Sequence, residues 1–291
     1  MHVIKTENLT KFYGKSRGIT ELSFSVDEGD IFGYIGPNGA GKSTTIRILL
    51  GLIAPTQGKA EILGLDCQKN TKEILKRVGY IPSEVFFWDY LRCEEVFALS
   101  AALRKCDCRK ESQLLCERLA LDPKKKVSEL SLGTRKKVSI VCALQHKPDM
   151  YILDEPTSGL DPNMQREFWD LLHERNQEGA TIFLSSHTLS EIQKHCKTAA
   201  IIREGTIQVK DKVESLSASN VKKVVIQGLS MLPPLQGIKN LQYREDKIVF
   251  LYQGKACELI GYLQGLPIMD ITISDPELEE IYMHFYRREE A

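Results

Sequence analysis

Apolar and polar side chains alternate with a period of two at the start of the chain. Val3, Lys5 and Glu7 face away from Ile4 and Thr6, and Leu22, Phe24 and Val26 face away from Ser23 and Ser25. That period predicts two strands. After the turn Asp27-Glu28-Gly29-Asp30 comes an unbroken apolar run, Ile31-Phe32-Gly33-Tyr34-Ile35, which reads as a buried strand. Comparable runs at Met150 to Asp154 and Thr181 to Ser186 predict two more, and shorter strands are expected at Lys59 to Leu63 and within Lys76 to Pro82. Helical period appears at Thr45 to Leu50, Glu94 to Leu103, Lys110 to Leu119 and Arg135 to Gln145, with Val96, Leu99, Ala102 and Leu103 sharing a face. Strands at 221–227, 247–253 and 268–274, with a helix at 256–263, are predicted beyond residue 211. A last helix is expected after Asp275-Pro276, placing Leu278, Ile281, Tyr282 and Phe285 on one face.

These elements read as an α/β protein: a core of residues 1–210 with an antiparallel β subdomain and a helical insert at about 83–147, and a small α+β domain at 211–291. Composition adds only limits. Apolar content of 42% and charged content of 27% over 291 residues are those of an ordinary globular chain. The formal net charge of zero gives no general attraction to nucleic acid, and no apolar run is long enough to span a bilayer. The start of the chain lacks a signal-peptide core, and the eight cysteines form no C-x-x-C pair, so reduced intracellular thiols are expected rather than a metal site.

The candidate chemistry is concentrated at one joint. Between the strand at Ile31–Ile35 and the helix at Thr45 lie Gly36, Pro37, Asn38, Gly39, Ala40, Gly41, Lys42, Ser43 and Thr44, a GxxxxGKS phosphate loop. Its glycines let successive N–H groups converge on phosphate oxygens at a helix N-terminus. Lys42 would reach the β- and γ-phosphates of a triphosphate, and the Ser43 hydroxyl would hold Mg²⁺. The strand at 150–154 ends in Asp154 and Glu155, at the edge of the sheet where nucleotides bind. Asp154 would complete the Mg²⁺ shell, and Glu155 would orient or deprotonate a water aimed at the γ-phosphate. His187 follows the strand at 181–186 and is either structural or a γ-phosphate contact. Tyr13, in a Phe12-Tyr13 pair upstream, either packs in the core or stacks on a purine. Phe86, Phe87, Trp88 and Tyr90 form an aromatic loop that is either a local core or a docking surface. Ser131 and Gly133 precede a helix, as a cap and a bare N–H.

In this order the motifs resemble those of the nucleotide-binding subunit of ABC transporters, over about residues 1–210. The phosphate loop is the Walker A motif, Leu130 to Thr134 the signature, Ile152 to Glu155 Walker B, Ser158 to Asp161 the D-loop and His187 the switch histidine. The spacings also fit, with 89 residues from Lys42 to Ser131, 24 to Glu155 and 32 more to His187. The resemblance implies a Mg-dependent ATPase on the cytoplasmic face of the membrane, peripheral through a separate permease subunit. It implies a head-to-tail pair of subunits, identical ones expected over different ones, with ATP held between one phosphate loop and the other's Ser131 and Gly133. Tyr13 would then stack on adenine, and Asp161 would join the nucleotide site. Two places depart from the family pattern: in the signature Leu132 stands for a glycine and Thr134 for a glutamine, and Ser83 stands for a glutamine that links Mg²⁺ to the permease, a role left to Ser83 or Glu84. The C-terminal segment looks like the accessory domain of drug, antimicrobial-peptide and ion exporters. It would assist dimerisation or pack on its own core. The 89-residue gap leaves no room for the coiled-coil arm of DNA-repair relatives. An ATP-driven regulator not coupled to transport stays open.

Overall fold

The computed structural model describes residues 1–217, 221–244 and 246–274. The chain divides into two units, one of residues 1–187 and 194–211, the other of 188–193 and the segment from 212 onward.

In the first unit, β1 (His2–Tyr13) and β2 (Ser16–Asp27) form an antiparallel hairpin. They lead into β3 (Ile31–Ile35), all five residues of which are buried. Helix α1 (Lys42–Leu49) follows, then β4 (Gln57–Ile62), β5 (Leu65–Asp66), α2 (Thr71–Arg77) and β6 (Val78–Ile81). The insert contributes α3 (Cys93–Arg104) and α4 (Arg109–Arg118), and α5 (Leu132–Leu144) returns the chain to the sheet. Next come β7 (Met150–Asp154), α6 (Pro162–Gln177) and β8 (Thr181–Ser186); after α7 (Leu189–His195), most of which is counted with the other unit, the chain continues in β9 (Thr198–Arg203) and β10 (Thr206–Lys212). Two sheets result: β2-β1-β4-β5, and β10-β9-β3-β8-β7-β6, in which β9, β3, β8, β7 and β6 run parallel. The parallel strands are buried almost throughout and mostly apolar, because helices and the smaller sheet cover them. Phe24 of β2 joins Phe32 and Tyr34 of β3 and Phe183 of β8 in one aromatic cluster, with ring centroids 5.4 to 6.2 Å apart. Rings at that spacing attract beyond their burial, and the cluster fixes β3 against the smaller sheet.

The second unit holds α8 (Val213–Ser217) and an antiparallel sheet in the order β12-β13-β11-β14, made of β11 (Val221–Gln227), β12 (Ile238–Arg244), β13 (Lys247–Gln253) and β14 (Asp270–Ser274). Alternate residues Val224, Ile226, Ile248 and Phe250 point to one face, where Leu259 and Leu263 of α9 (Ala256–Leu263) cover them. The helix expected after Asp275 lies outside the described residues.

The differences from the sequence expectation have local causes. Helix α5 starts at Leu132, not Arg135, because the Ser131 side chain accepts the Thr134 N–H and caps the helix three residues early. Lys76 and Arg77 end α2 and are not part of β6. On α3 the buried stripe is Cys93, Val96, Phe97 and Ala101, so the expected face carrying Leu99 and Leu103 lies largely in solvent.

Candidate functional site

The site is built from the loop after β3. Gly36 lacks room for any side chain, since a Cβ there would lie 2.3 Å from the Ile202 carbonyl oxygen. Gly41 has a φ of +107° and caps α1 with no side chain at all. The first backbone bond of α1 runs from Thr45 N–H to Gly41 O, so the N–H groups of Gly41, Lys42, Ser43 and Thr44 have no acceptor among the described residues. Four unpartnered donors at the positive end of a helix make a site for an anionic oxygen cluster.

Lys42 is buried, and its Nζ donates to Gly36 O at 2.7 Å and Pro37 O at 3.2 Å. The same ammonium stands 3.2 Å from Glu155 Oε1. Glu155 follows β7 in a left-handed conformation, φ +48°, which a residue with a Cβ adopts only when its surroundings hold it. Its N–H donates to Ser185 O at 3.2 Å and Ser185 Oγ at 3.1 Å, while Ser185 Oγ donates to Asp154 Oδ1 at 2.6 Å. His187 Nδ1 lies 2.7 Å from Glu155 Oε2. The structure therefore brings Lys42, Asp154, Glu155 and His187 together at the C-terminal edge of β3, β7 and β8.

The other expected residues fall as follows. Ser43 is half-buried in the first turn of α1, and Thr44 follows it. Tyr13 ends β1 with its ring half-exposed and Lys11 Nζ 5.4 Å above it, so the core-packing alternative does not describe this ring. Ser131 Oγ sits 2.9 Å from Thr134 Oγ1, and a Cβ on Gly133 would meet the Gly159 carbonyl oxygen at 2.8 Å. Contact with its own D-loop thus already requires a glycine at 133. Leu132 is 72% exposed. Asp161 serves as the N-cap of α6, its Oδ1 accepting from Asn163 N–H and Met164 N–H at 3.0 and 3.1 Å. Ser83 and Glu84 are exposed. The aromatic loop is no local core: Phe86 is 82%, Trp88 58% and Tyr90 71% exposed.

Two site residues were not singled out from sequence. Ser185 lies inside an apolar strand with no pattern to mark it. Lys136 had a signal: it falls in register with Ser139, Ile140 and Ala143 on the buried face of α5, where a lysine is out of place. Its Nζ donates to Pro82 O at 2.8 Å, Glu155 O at 3.2 Å and Ser83 O at 3.4 Å. Burial pushes the ammonium down to about 8, against the opposing pull of Asp154 and Glu155. A cavity of about 930 Å³ lies elsewhere, between α3 and α4, lined by Phe97, Ala101, Cys108 and Cys116. The same lining carries Glu94, Asp107 and Glu117 against a single cation, Arg109, which Asp107 already pairs at 2.7 Å. Net negative charge repels a triphosphate, so the loop after β3 is the candidate site.

Comparison with known proteins bears on the family. A family model described as ABC transporter matches residues 19–158. The bacitracin transport ATP-binding protein BcrA of Bacillus licheniformis is 36% identical, over 97% of this chain and 96% of its own. The linearmycin resistance ATP-binding protein LnrL of Bacillus subtilis is 26% identical over 98% of this chain and 99% of its own. A solved ATP-binding subunit of an ABC transporter superposes with a TM-score of 0.71 at 28% identity, covering 74% of this chain and 92% of that one. In fold alone, the cassette MJ0796, solved as a dimer in a post-hydrolysis state with ADP and phosphate, matches with a TM-score of 0.66 at 23% identity over 72% of this chain and 98% of its own. The chain belongs to the ABC transporter family, as an ATP-binding and ATP-hydrolysing subunit that powers transport.

Proposed function

We propose that this subunit drives an exporter of peptide-like or drug-like cargo, working as one of a pair of nucleotide-binding subunits on a transmembrane permease. The observation that carries the export reading is the reach of the similarity: the bacitracin transport protein matches along nearly the whole chain, the second unit included. No described helix is long and apolar enough to cross a membrane, so attachment at the cytoplasmic face would run through the permease. The exposed Phe86, Trp88 and Tyr90 are the surface for it.

At the site, the N–H groups opening α1 would take the phosphates, Lys42 would neutralise them and Tyr13 would stack on the base. The Ser43 hydroxyl and the Asp154 carboxylate are hard oxygen donors of the kind Mg²⁺ selects, and the ion would supply charge for the phosphates. Glu155 would accept the proton of the attacking water, with His187 holding its carboxylate. Ser131 and Gly133, at the N-terminus of α5, and Asp161 would face the partner's nucleotide.

The test is Glu155→Gln. Hydrolysis should fall by roughly a hundredfold to ten-thousandfold, the usual worth of a positioned base, with ATP binding retained. Trapped with MgATP in detergent-solubilised membranes, the tagged variant should recover a polytopic membrane protein in near-equal amount. Recovery of the variant alone would favour an ATP-driven regulator.

A further inference from the structure

Lys136 has no task in the hydrolysis outlined above, yet it ties the helix that begins at Ser131 to two loops, the one after β6 and the one after β7 that carries Glu155. It sits on α5, five residues after Ser131, and is 3% exposed. Its three N–H donors meet three backbone carbonyls: Pro82 and Ser83, after β6, and Glu155, after β7. None of these acceptors is a carboxylate. A buried ammonium held only by neutral carbonyls is expensive, and a purely structural tie between a helix and two loops could be made by an amide or an ordered water at lower cost.

Placement shows what the cost supports. Glu155 is held in a left-handed conformation from two sides, its N–H by Ser185 and its carbonyl by Lys136. Fixing both ends of one residue sets the direction in which its side chain leaves the backbone, and that direction aims Oε1 at Lys42 and Oε2 at His187. We propose that Lys136 is a positioning residue for hydrolysis, locking the Glu155 backbone and the Pro82-Ser83 loop to the helix that begins at Ser131. The signature helix, the loop after β6 and the base then move as one body, so that a shift of α5 re-aims Glu155.

The proposal rests on Glu155 acting as the base, and the experiment separates the two. Single-turnover hydrolysis of MgATP by the purified full chain is measured for Lys136→Met, Lys136→Arg, Glu155→Gln and the double variant Lys136→Met/Glu155→Gln. Lys136→Met should lower the rate roughly tenfold to hundredfold, as misplacing a catalytic group by a fraction of its working distance does, while nucleotide affinity stays within about twofold. Lys136→Arg keeps the charge and donors and should recover part of the loss. In the Glu155→Gln background Lys136→Met should cost nothing further, because the group it positions is gone. If Lys136→Met keeps the full rate, loses rate only in step with nucleotide affinity or folded fraction, or adds its full cost on top of Glu155→Gln, the positioning role is overturned. If Glu155→Gln alone keeps turnover, it is the reading of the base that fails.

Discussion

The two ends of the parallel sheet are both crowded with charge, and they use it in opposite ways. At the end where β6, β7 and β8 begin, cations and carboxylates neutralise each other. Arg77 pairs with Asp149 at 2.7 Å and Lys147 with Glu111 at 3.3 Å, and buried Arg175 is clamped between Glu111 and Glu178. At the end where β3, β7 and β8 stop, the hydrogen bonds of the lysines go to backbone carbonyls, Lys42 on Gly36 and Pro37, Lys136 on three others, and the one carboxylate beside Lys42, at 3.2 Å, is that of Glu155. Charge satisfied by charge stabilises a fold and is inert. Charge parked on neutral dipoles, beside a carboxylate in strained backbone, remains available to a ligand.

The largest effect expected from this contrast is on stability at the first end. Arg175 is 6% exposed, so Arg175→Met leaves Glu111 with Lys147 as its remaining cation and Glu178 with none from this group. Breaking a buried pair by removing one partner costs about 3–5 kcal/mol, and the partly exposed carboxylates put this case at the low end. Denaturant midpoints should fall accordingly, while the rate of hydrolysis per folded molecule stays unchanged. A loss of rate in the folded protein would show that the two ends are not separable.

The mirror experiment is Lys42→Ala, where binding should change more than stability. Losing a charged hydrogen-bond donor to phosphate should cost about 1.5–3 kcal/mol of nucleotide affinity, on the order of tenfold to hundredfold. Unchanged affinity by isothermal titration would remove Lys42 from the phosphate site and erase the contrast.

How much of this was legible in the sequence differs between the two ends. The active end was largely readable, because phosphate chemistry demands fixed residue types at fixed spacings: Gly36 to Thr44, Asp154, Glu155 and His187 all stand at the sheet edge where periodicity put them. Backbone contacts there were not readable. Lys136 and Ser185 act on carbonyls and N–H groups, which carry no residue signature, and the exposure of Trp88 and Tyr90 depends on what the loop packs against. At the other end nothing was foreseen. Arg175 and Glu178 sit one turn apart at the end of α6, but Glu111 comes from α4, and only the finished fold brings it to them. The exposed strand β12 was missed as well, because its residues lack alternating burial.

The most gradual expected effect, spread over about two pH units, concerns the helix that joins the two ends. α5 starts at Ser131 beside the nucleotide site, and just past its other end lie His146 and Lys147. His146 Nε2 accepts from Arg104 Nε at 3.1 Å, and burial, with the Arg104 cation adding, pushes its pKa down from 6.5 to about 4. In the unfolded chain this ring takes up a proton near pH 6.5, whereas the folded protein refuses it until about pH 4. The unfolded state therefore binds more protons across that window, and stability falls as pH drops from about 6.5 toward 4. The slope is at most about 1.4 kcal/mol per pH unit for one fully titrating histidine. His195, stacked on Trp169 at 3.8 Å, is also pushed down to about 4, by burial and then by His173. It is half-exposed, so solvent screening reduces its share. His146→Gln keeps an acceptor for Arg104 without a titrating ring and should flatten the decline of melting temperature between pH 6.5 and 4.5. An unchanged slope would place the acid sensitivity outside α5. Hydrolysis that weakened before the fold did, in this same window, would show the helix carrying strain from its far end to Ser131.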